Sequence, residues 1–271
     1  MQTRMIKRIL PPVFSFICIS MAADAQRPVD GLVQAEKNFA AYSVSHSTKE
    51  AFLEFLDSSG VVFEKGLAVN GFEAWNKREK RSSVLDWQPA FAGISVSGDL
   101  GFTNGPWTFK PSPKDTVVAR GQYSTVWHRD KNGQWKFLVD LGISNGSSPA
   151  TSVTVLNPSK TYTAGNAQSL LEAENNFITA SMVSPEKAYK KFLSHDAVIN
   201  RNDRMPQQAH WDKDIFRGGV KYTVVGSGIS SAGDLGYVYG NTVIDGKNEN
   251  YLRVWRRNGN EWNIVLEVLR Y

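Results

Sequence analysis

The chain has 271 residues, a formal charge of +5 and one cysteine, Cys18. A single cysteine excludes an intrachain disulfide. Because Cys18 falls in a segment read below as removable, it also excludes a thiolate nucleophile or a cysteine-ligated zinc in what remains. The positive charge is too scattered for a nucleic-acid footprint: its tightest cluster, Lys77, Arg78, Lys80 and Arg81, is interrupted by Glu79 and reads as the solvated face of a helix.

Residues 1–25 have the order of a secretory signal. Arg4, Lys7 and Arg8 form a basic head, Val13 to Met21 an apolar middle, and Ala23-Asp24-Ala25 a small-x-small exit site. Cleavage before Gln26 and export to the periplasm or beyond the cell are expected. The apolar run is shorter than the ~20 residues that span a bilayer, and no later run approaches that length, so no membrane span is expected. Bulky Phe16 and Ile17 precede Cys18 where a lipoprotein signal wants small residues, which argues against a lipid anchor.

The rest of the chain is an internal repeat. Leu32, Ala35, Phe39 and Tyr42 make one stripe of an amphipathic helix, and Leu170, Ala173, Phe177 and Ala180 repeat its spacing, with Glu36 recurring as Glu174. A second helix follows in each copy, opened by the capping pair Ser47 and Glu50 in one and by Ser184-Pro185 in the other. Gly98-Asp99-Leu100-Gly101-Phe102 returns as Gly233-Asp234-Leu235-Gly236-Tyr237. Tyr123 to Trp127 returns as Tyr251 to Trp255, and the turns Asn132-Gly133 and Asn258-Gly259 precede final strands opened by Trp135 and Trp262. The second copy has shorter loops, and Lys110 to Asp115 is the expected long hairpin loop of the first. A linker-like stretch rich in Ser, Thr, Gly and Pro separates the copies, with Val153 to Leu156 able to add a short strand. The expected division is a signal over 1–25, a first α+β domain over 30–144, a linker over 145–165 and a second α+β domain over 166–271. Each domain reads as helix, helix, strand, short helix and about four antiparallel strands.

This order, with its Gly-Asp-Leu-Gly turn and Trp-bearing last hairpin, resembles the nuclear transport factor two superfamily, in particular its SnoaL-like and ketosteroid-isomerase-like branches. The resemblance implies two cones, each a curved antiparallel sheet wrapped around its helices, with a pocket at the open end and pairing through the outer sheet face. It implies no single function, because such domains include isomerases, cyclases, dehydratases and non-catalytic binding modules. Isomerases of this kind use a carboxylate base, a tyrosine and a protonated acid. The matching positions here hold Phe39 and Phe177 for the tyrosine, Phe63 (with Glu64 beside it) and Asn200 to Arg201 for the base, and Thr125 and Arg253 for the acid. That set is not reproduced.

The catalytic candidates are therefore Glu64 and the paired carboxylates Asp140 and Glu267. Alternation from Trp135 through Phe137, Val139 and Leu141 puts Asp140 on the opposite, solvent or interface, side. Asp99 and Asp234 read as turn residues, and Glu36 and Glu174 as structural or solvent-facing. Tyr123, Thr125 and Trp127 share one strand face, as do Tyr251, Arg253 and Trp255, and these six are the ligand-binding candidates. Arg253 among aromatics is a seat for an anion or an internally paired cation. On the first alternative, Arg253→Met weakens anion binding with little loss of folding. The four histidines form no metal-ligand spacing, and no metal or cofactor is expected. Three functions compete: binding a small apolar or amphipathic molecule in a cone, isomerase, dehydratase or cyclase chemistry, and assembly. Sheet-face pairing within the chain or between copies is the expected contact.

Overall fold

The computed structural model describes residues 28–146, 148–208 and 215–271. The expected signal with Cys18, and His210 and Trp211, lie outside them. In the first half come helices α1 (Pro28–Ser45) and α2 (Thr48–Phe55), strands β1 (Leu56–Glu64) and β2 (Leu67–Asn70), and helix α3 (Gly71–Lys77). Strands β3 (Val84–Trp87), β4 (Phe91–Ile94), β5 (Leu100–Lys110), β6 (Ala119–Arg129), β7 (Trp135–Ser144) and β8 (Thr154–Leu156) complete it. The second half repeats the plan with α4 (Ala167–Val183), α5 (Pro185–Phe192), β9 (Leu193–Arg201), β10 (Gln207–Gln208), β11 (Lys221–Ile229), β12 (Leu235–Ile244), β13 (Lys247–Asn258) and β14 (Glu261–Leu269).

Local chemistry sets the helix starts as expected. The Ser47 side chain accepts the Glu50 N–H and donates back to its carboxylate at 2.7 Å, and Ser184 caps α5 with Pro185 in its first turn. The basic cluster departs from expectation. Only Lys77 is helical, because α3 ends at an extended Arg78 whose carbonyl, like that of Asn76, is taken by the Lys49 ammonium. Arg78, Lys80 and Arg81 thus lie on the connection to β3.

The strands form two sheets. One runs β2-β1-β7-β6-β5-β4-β8 with β3 also on β5, and the other β10-β9-β14-β13-β12-β11. Within the linker, β8 pairs parallel with β4. The β5–β6 loop spans residues 111–118, whereas β12 and β13 are joined by the two-residue turn Asp245-Gly246, both in the left-handed region. That difference accounts for part of the shortening of the second copy.

Each sheet has two apolar faces. One wraps its own helices: Leu32, Phe39, Phe52, Trp127 and Phe137 form the first cone core, and Leu170, Phe177, Trp255 and Ile264 the second. The outer faces bury each other. Leu100, Phe102, Val126, Val139 and Leu141 pack with Val198, Leu235, Leu252, Val254 and Leu266 in a core made by both sheets. Sheet-face pairing therefore takes place inside the chain. Across its edge, the Asn250 amide donates to the Gly66 carbonyl at 3.1 Å and the Asn145 amide to the Arg204 carbonyl at 2.9 Å.

Candidate functional site

The two cones carry equivalent residues at equivalent places and use them differently. In the first, Glu36 is fully buried on α1, where its carboxylate accepts the indole N–H of Trp87 at 2.5 Å and of Trp127 at 2.9 Å, and the Thr103 hydroxyl. Among the described residues no cation bonds it, and burial pushes its carboxyl up to about 7 against those three donors. Of the structural and solvent-facing alternatives for Glu36, the structural one holds, with the acid fully buried. Its position, between Leu32 and Phe39 on the apolar stripe, is the sequence signal for this.

Asp140 also faces inward, contrary to the strict alternation read from sequence. The β6–β7 register shifts between Val126/Val139 and Trp127/Phe137, leaving Leu138 as an extra residue. This bulge keeps Phe137 in the cone, sends Val139 and Leu141 to the intersheet core, and turns Asp140 into the cone opposite Thr125. The Thr125 hydroxyl donates to Asp140 at 2.8 Å. Burial pushes the Asp140 carboxyl up to about 6. Between β13 and β14 the same shift occurs, with Val265 extra, so Glu267 also points into its cone.

Above Asp140 the first cone is open. A cavity of about 360 Å³ is walled by Phe39, Phe52, Trp87, Trp107 and Tyr123, with Asp140 and Gly142 on its β7 side and Asn202 and Arg270 of the second half at its mouth. This size suits a small organic molecule. Trp107 is held by its indole N–H on the Ile143 carbonyl at 3.1 Å, and the buried Tyr123 hydroxyl has no hydrogen-bond partner. Burial, reinforced by Glu36, holds the Tyr123 phenol well above its ordinary range. Arg270 of the cavity lining pairs with Glu249 at 3.5 Å, and outside the cavity Arg78 pairs with Glu64. Glu64 thus stands half-exposed outside this cavity, the only one of the three catalytic candidates not turned into a cone.

In the second cone the same space is occupied by charge. Arg253, opposite Glu267 as Thr125 is opposite Asp140, donates from Nε to Glu267 at 2.5 Å and from Nη1 to Glu174. Arg201 also donates to Glu267, the Tyr189 hydroxyl does so at 2.6 Å, and the Trp255 indole N–H reaches Glu174 at 2.9 Å. Glu174, Arg201, Arg253 and Glu267 are all buried, two cations against two anions. Burial works against the charge on Glu267, but the two guanidinium groups hold its carboxyl down at about 2. Arg253 is thus internally paired, the second of the alternatives left open by the sequence, and its guanidinium is committed to protein carboxylates.

All six ligand-binding candidates face cone interiors. Tyr123 alone of them lines the cavity, Thr125 tethers Asp140, Trp127 and Trp255 hold Glu36 and Glu174, and Tyr251 packs on Arg253. Trp87, Trp107 and Gly142 also line the cavity; the two tryptophans belong to the aromatic content of the sequence that suits a pocket for an amphipathic molecule, whereas Gly142 carries no such signal. Among the described residues no group of three or more His, Asp or Glu side chains is arranged to hold a metal ion. No described helix is long and apolar enough to cross a membrane.

No protein family and no curated protein matches the sequence. Among solved structures the chain is similar to an NTF-2-like protein of unknown function from Shewanella oneidensis, at 19% identity and a TM-score of 0.35 over 43% of this chain and 98% of that one. It is also similar to an NTF2-like protein from Cytophaga hutchinsonii, at 16% identity and a TM-score of 0.33 over 42% and 96%. A third likeness is to the association domain of C. elegans CaMKII, at 15% identity and a TM-score of 0.34 over 42% and 92%. The helix, helix and curved-sheet order of each half fits the NTF2-like fold.

Proposed function

We propose that this protein binds a small amphipathic molecule in the cone of its first half, and that the second half is a built-in partner that buries the outer sheet face and borders the mouth. One observation carries the reading: the aromatic cavity above Asp140 is open where its counterpart is filled by Arg253 and its carboxylates. Export to the periplasm or beyond the cell belongs to the same proposal and rests on the order of residues 4–25.

Gly142 supplies the test. It shares the inward face of β7 with Asp140, and a Cβ there meets only Trp107 Nε1 at 3.8 Å and the Gln122 carbonyl oxygen at 3.9 Å, so leucine can enter the cavity without a backbone clash. The neutral dye N-phenyl-1-naphthylamine should brighten on titration with the native protein and stay dark with Gly142→Leu, whose melting curve remains cooperative. A native protein that leaves the dye dark, or a variant that binds it equally, removes the cavity from consideration.

A second reading, proton transfer of the isomerase or dehydratase kind, is favoured by the Asp140 carboxyl at about 6 in an apolar wall. In heavy water a bound ketone should then exchange its α-protons faster with native protein than with Asp140→Asn. Equal exchange would remove this reading while leaving binding intact.

A further inference from the structure

We infer that the first cone takes an organic cation, a molecule with an apolar body and one protonated amine or quaternary ammonium, seated against Asp140 and the rings of Phe39, Trp87 and Tyr123. This rests on the reading of the cavity as a binding site and adds the charge of what it binds.

The second cone is the reference. There the Arg253 guanidinium lies 4.2 Å from the centre of the Phe177 ring, 4.4 Å from Tyr222 and 4.7 Å from Tyr251, and it bonds Glu174 and Glu267. Three aromatic faces and two carboxylates make a cation cage. Each of these five groups has a counterpart in the first cone. Phe177 corresponds to Phe39, Tyr251 to Tyr123, Glu174 to Glu36 and Glu267 to Asp140 through the repeat. Tyr222 corresponds to Trp87, since Tyr222 pairs with Thr242 on β12 as Trp87 pairs with Trp107 on β5, and those partners stand two residues after the equivalent glycines Gly240 and Gly105. Only the cation is missing: Thr125 stands at the position of Arg253, and its hydroxyl reaches no farther than Asp140.

The second arginine of the filled cone is also replaced. Arg201 of β9 corresponds to Glu64 of β1, which turns to Arg78 at the surface. The cavity therefore carries the Asp140 carboxylate in its wall, with Glu36 buried and bonded to Trp87, and the one cation among its described lining residues, Arg270, already pairs with Glu249 at 3.5 Å. Trp87, which walls the cavity, donates its indole N–H to Glu36, an orientation that leaves its ring more electron-rich toward a cation. A protonated amine entering on an apolar body would restore what Arg253 supplies in the other half. A carboxylate ligand would meet Asp140 instead.

The experiment uses the full chain and three probes of one shape: 4-phenylbutylamine, 4-phenylbutan-1-ol and 4-phenylbutyrate, titrated by calorimetry at pH 7.5. The amine should bind at least about tenfold more tightly than the alcohol, the usual return on a charge-assisted contact, with the carboxylate weakest. Asp140→Asn, checked for an unchanged melting transition, should remove most of the amine preference while leaving the alcohol's affinity in place. Equal binding of alcohol and amine, tighter binding of the carboxylate, or an amine preference that survives Asp140→Asn overturns the inference and leaves the cavity a binding site. Failure of all three probes at millimolar concentration, with the neutral dye still bound, overturns the inference alone; failure of the dye as well overturns both.

Discussion

Asp99 and Asp234 each accept a backbone N–H from the other's turn: Ser231 donates to Asp99 at 2.9 Å and Val96 to Asp234 at 2.8 Å. Val96 and Ser231 are themselves equivalent, each the residue after the serine (Ser95, Ser230) that opens its turn, so the exchange is reciprocal about a local twofold relating the two halves. Each carboxylate also ties its own turn, Asp99 through Ser95 and Ser97 and Asp234 through Ser230. The duplication thus made a dimer contact within one chain. Replacing either aspartate by alanine should cost about 1–2 kcal/mol in urea unfolding at pH 7, with the double variant losing roughly the sum, because the two contacts share no atoms. Burial opposes the charge on Asp99, but its serine and backbone donors hold its carboxyl down at about 2. Its contribution is present above the ordinary value near 3.8 and fades as pH falls toward 2. An Asp99→Ala variant as sensitive to acid as the native chain would contradict this.

Arg253→Met should be severely destabilising, the reverse of the outcome expected for a ligand-facing arginine. Methionine fills much of the volume but leaves Glu174 without its cation and Glu267 with Arg201 alone. Breaking one partner of a buried ionic network typically costs about 3–5 kcal/mol. Adding Glu174→Gln to Arg253→Met should recover part of the loss. Denaturant midpoints of the two variants measure this, and a single variant as stable as the native protein would rule out the network as a structural element.

The opposite shifts of Glu36 and Asp140 on one side and Glu267 on the other should appear in the pH dependence of stability, with Glu174, raised by burial, acting in the direction of the first pair. Glu36 is raised from 4.5 to about 7 and Asp140 from 3.8 to about 6, so the folded state holds protons that the unfolded chain releases. Their contribution is fully present below the unfolded values and is lost as pH rises through about 6 and 7. Glu267, held at about 2, contributes in the other direction: present above 4.5 and lost only in strong acid. Unfolding free energy should therefore decline between pH 4.5 and 7.5, by on the order of 3 kcal/mol at most from Glu36. Glu36→Gln should flatten that decline. A native curve that rises over this interval would show that the first cone is not the acid-holding one.

Much of the architecture is legible in the sequence, because a helix with period 3.6 and turns closed by Gly98 and Gly233 announce themselves locally, and because the repeat supplies each signal twice. That Tyr123, Thr125 and Trp127 share one face follows from alternation alone, although which face is the inward one does not. Asp140 and Glu267 do not, since one bulged residue, Leu138 or Val265, reverses which face every later residue takes, and no local propensity marks it. Trp87 and Trp107 are legible as part of an aromatic set suited to a pocket, but not as its walls. They become cavity walls only when β3 pairs with β5 and brings them opposite each other, a contact between strands separated in sequence by β4.

The mature chain should begin at Gln26. Intact-mass measurement and N-terminal sequencing of protein recovered from its native host would establish this, with thiol titration reading zero because Cys18 has been removed. Recovery of a chain that starts at Met1, or of a lipid-modified Cys18, would contradict export by cleavage.

Thr125→Arg should convert the first cone into a copy of the second. Position 125 lies directly opposite Asp140, as Arg253 lies opposite Glu267, and the cavity offers the room that an arginine side chain requires. A guanidinium there can lie over Phe39, Trp87 and Tyr123 and bond both Asp140 and Glu36, supplying a counter-charge to two carboxyls that burial raises. Two readouts should then move together. N-phenyl-1-naphthylamine and 4-phenylbutylamine should cease to bind, because their space and their carboxylate are taken. The melting temperature at pH 8 should rise by about 2–4 °C, the equivalent of ~1 kcal/mol for a chain of this size, while at pH 5, where Glu36 is protonated in the native protein, the gain should be smaller. Arginine is bulky enough to strain a poorly matched site, and overpacking would lower the melting temperature at both pH values. A variant destabilised equally at pH 5 and pH 8 that still binds the dye would break the equivalence of Thr125 and Arg253, and with it the cation cage proposed for the first cone.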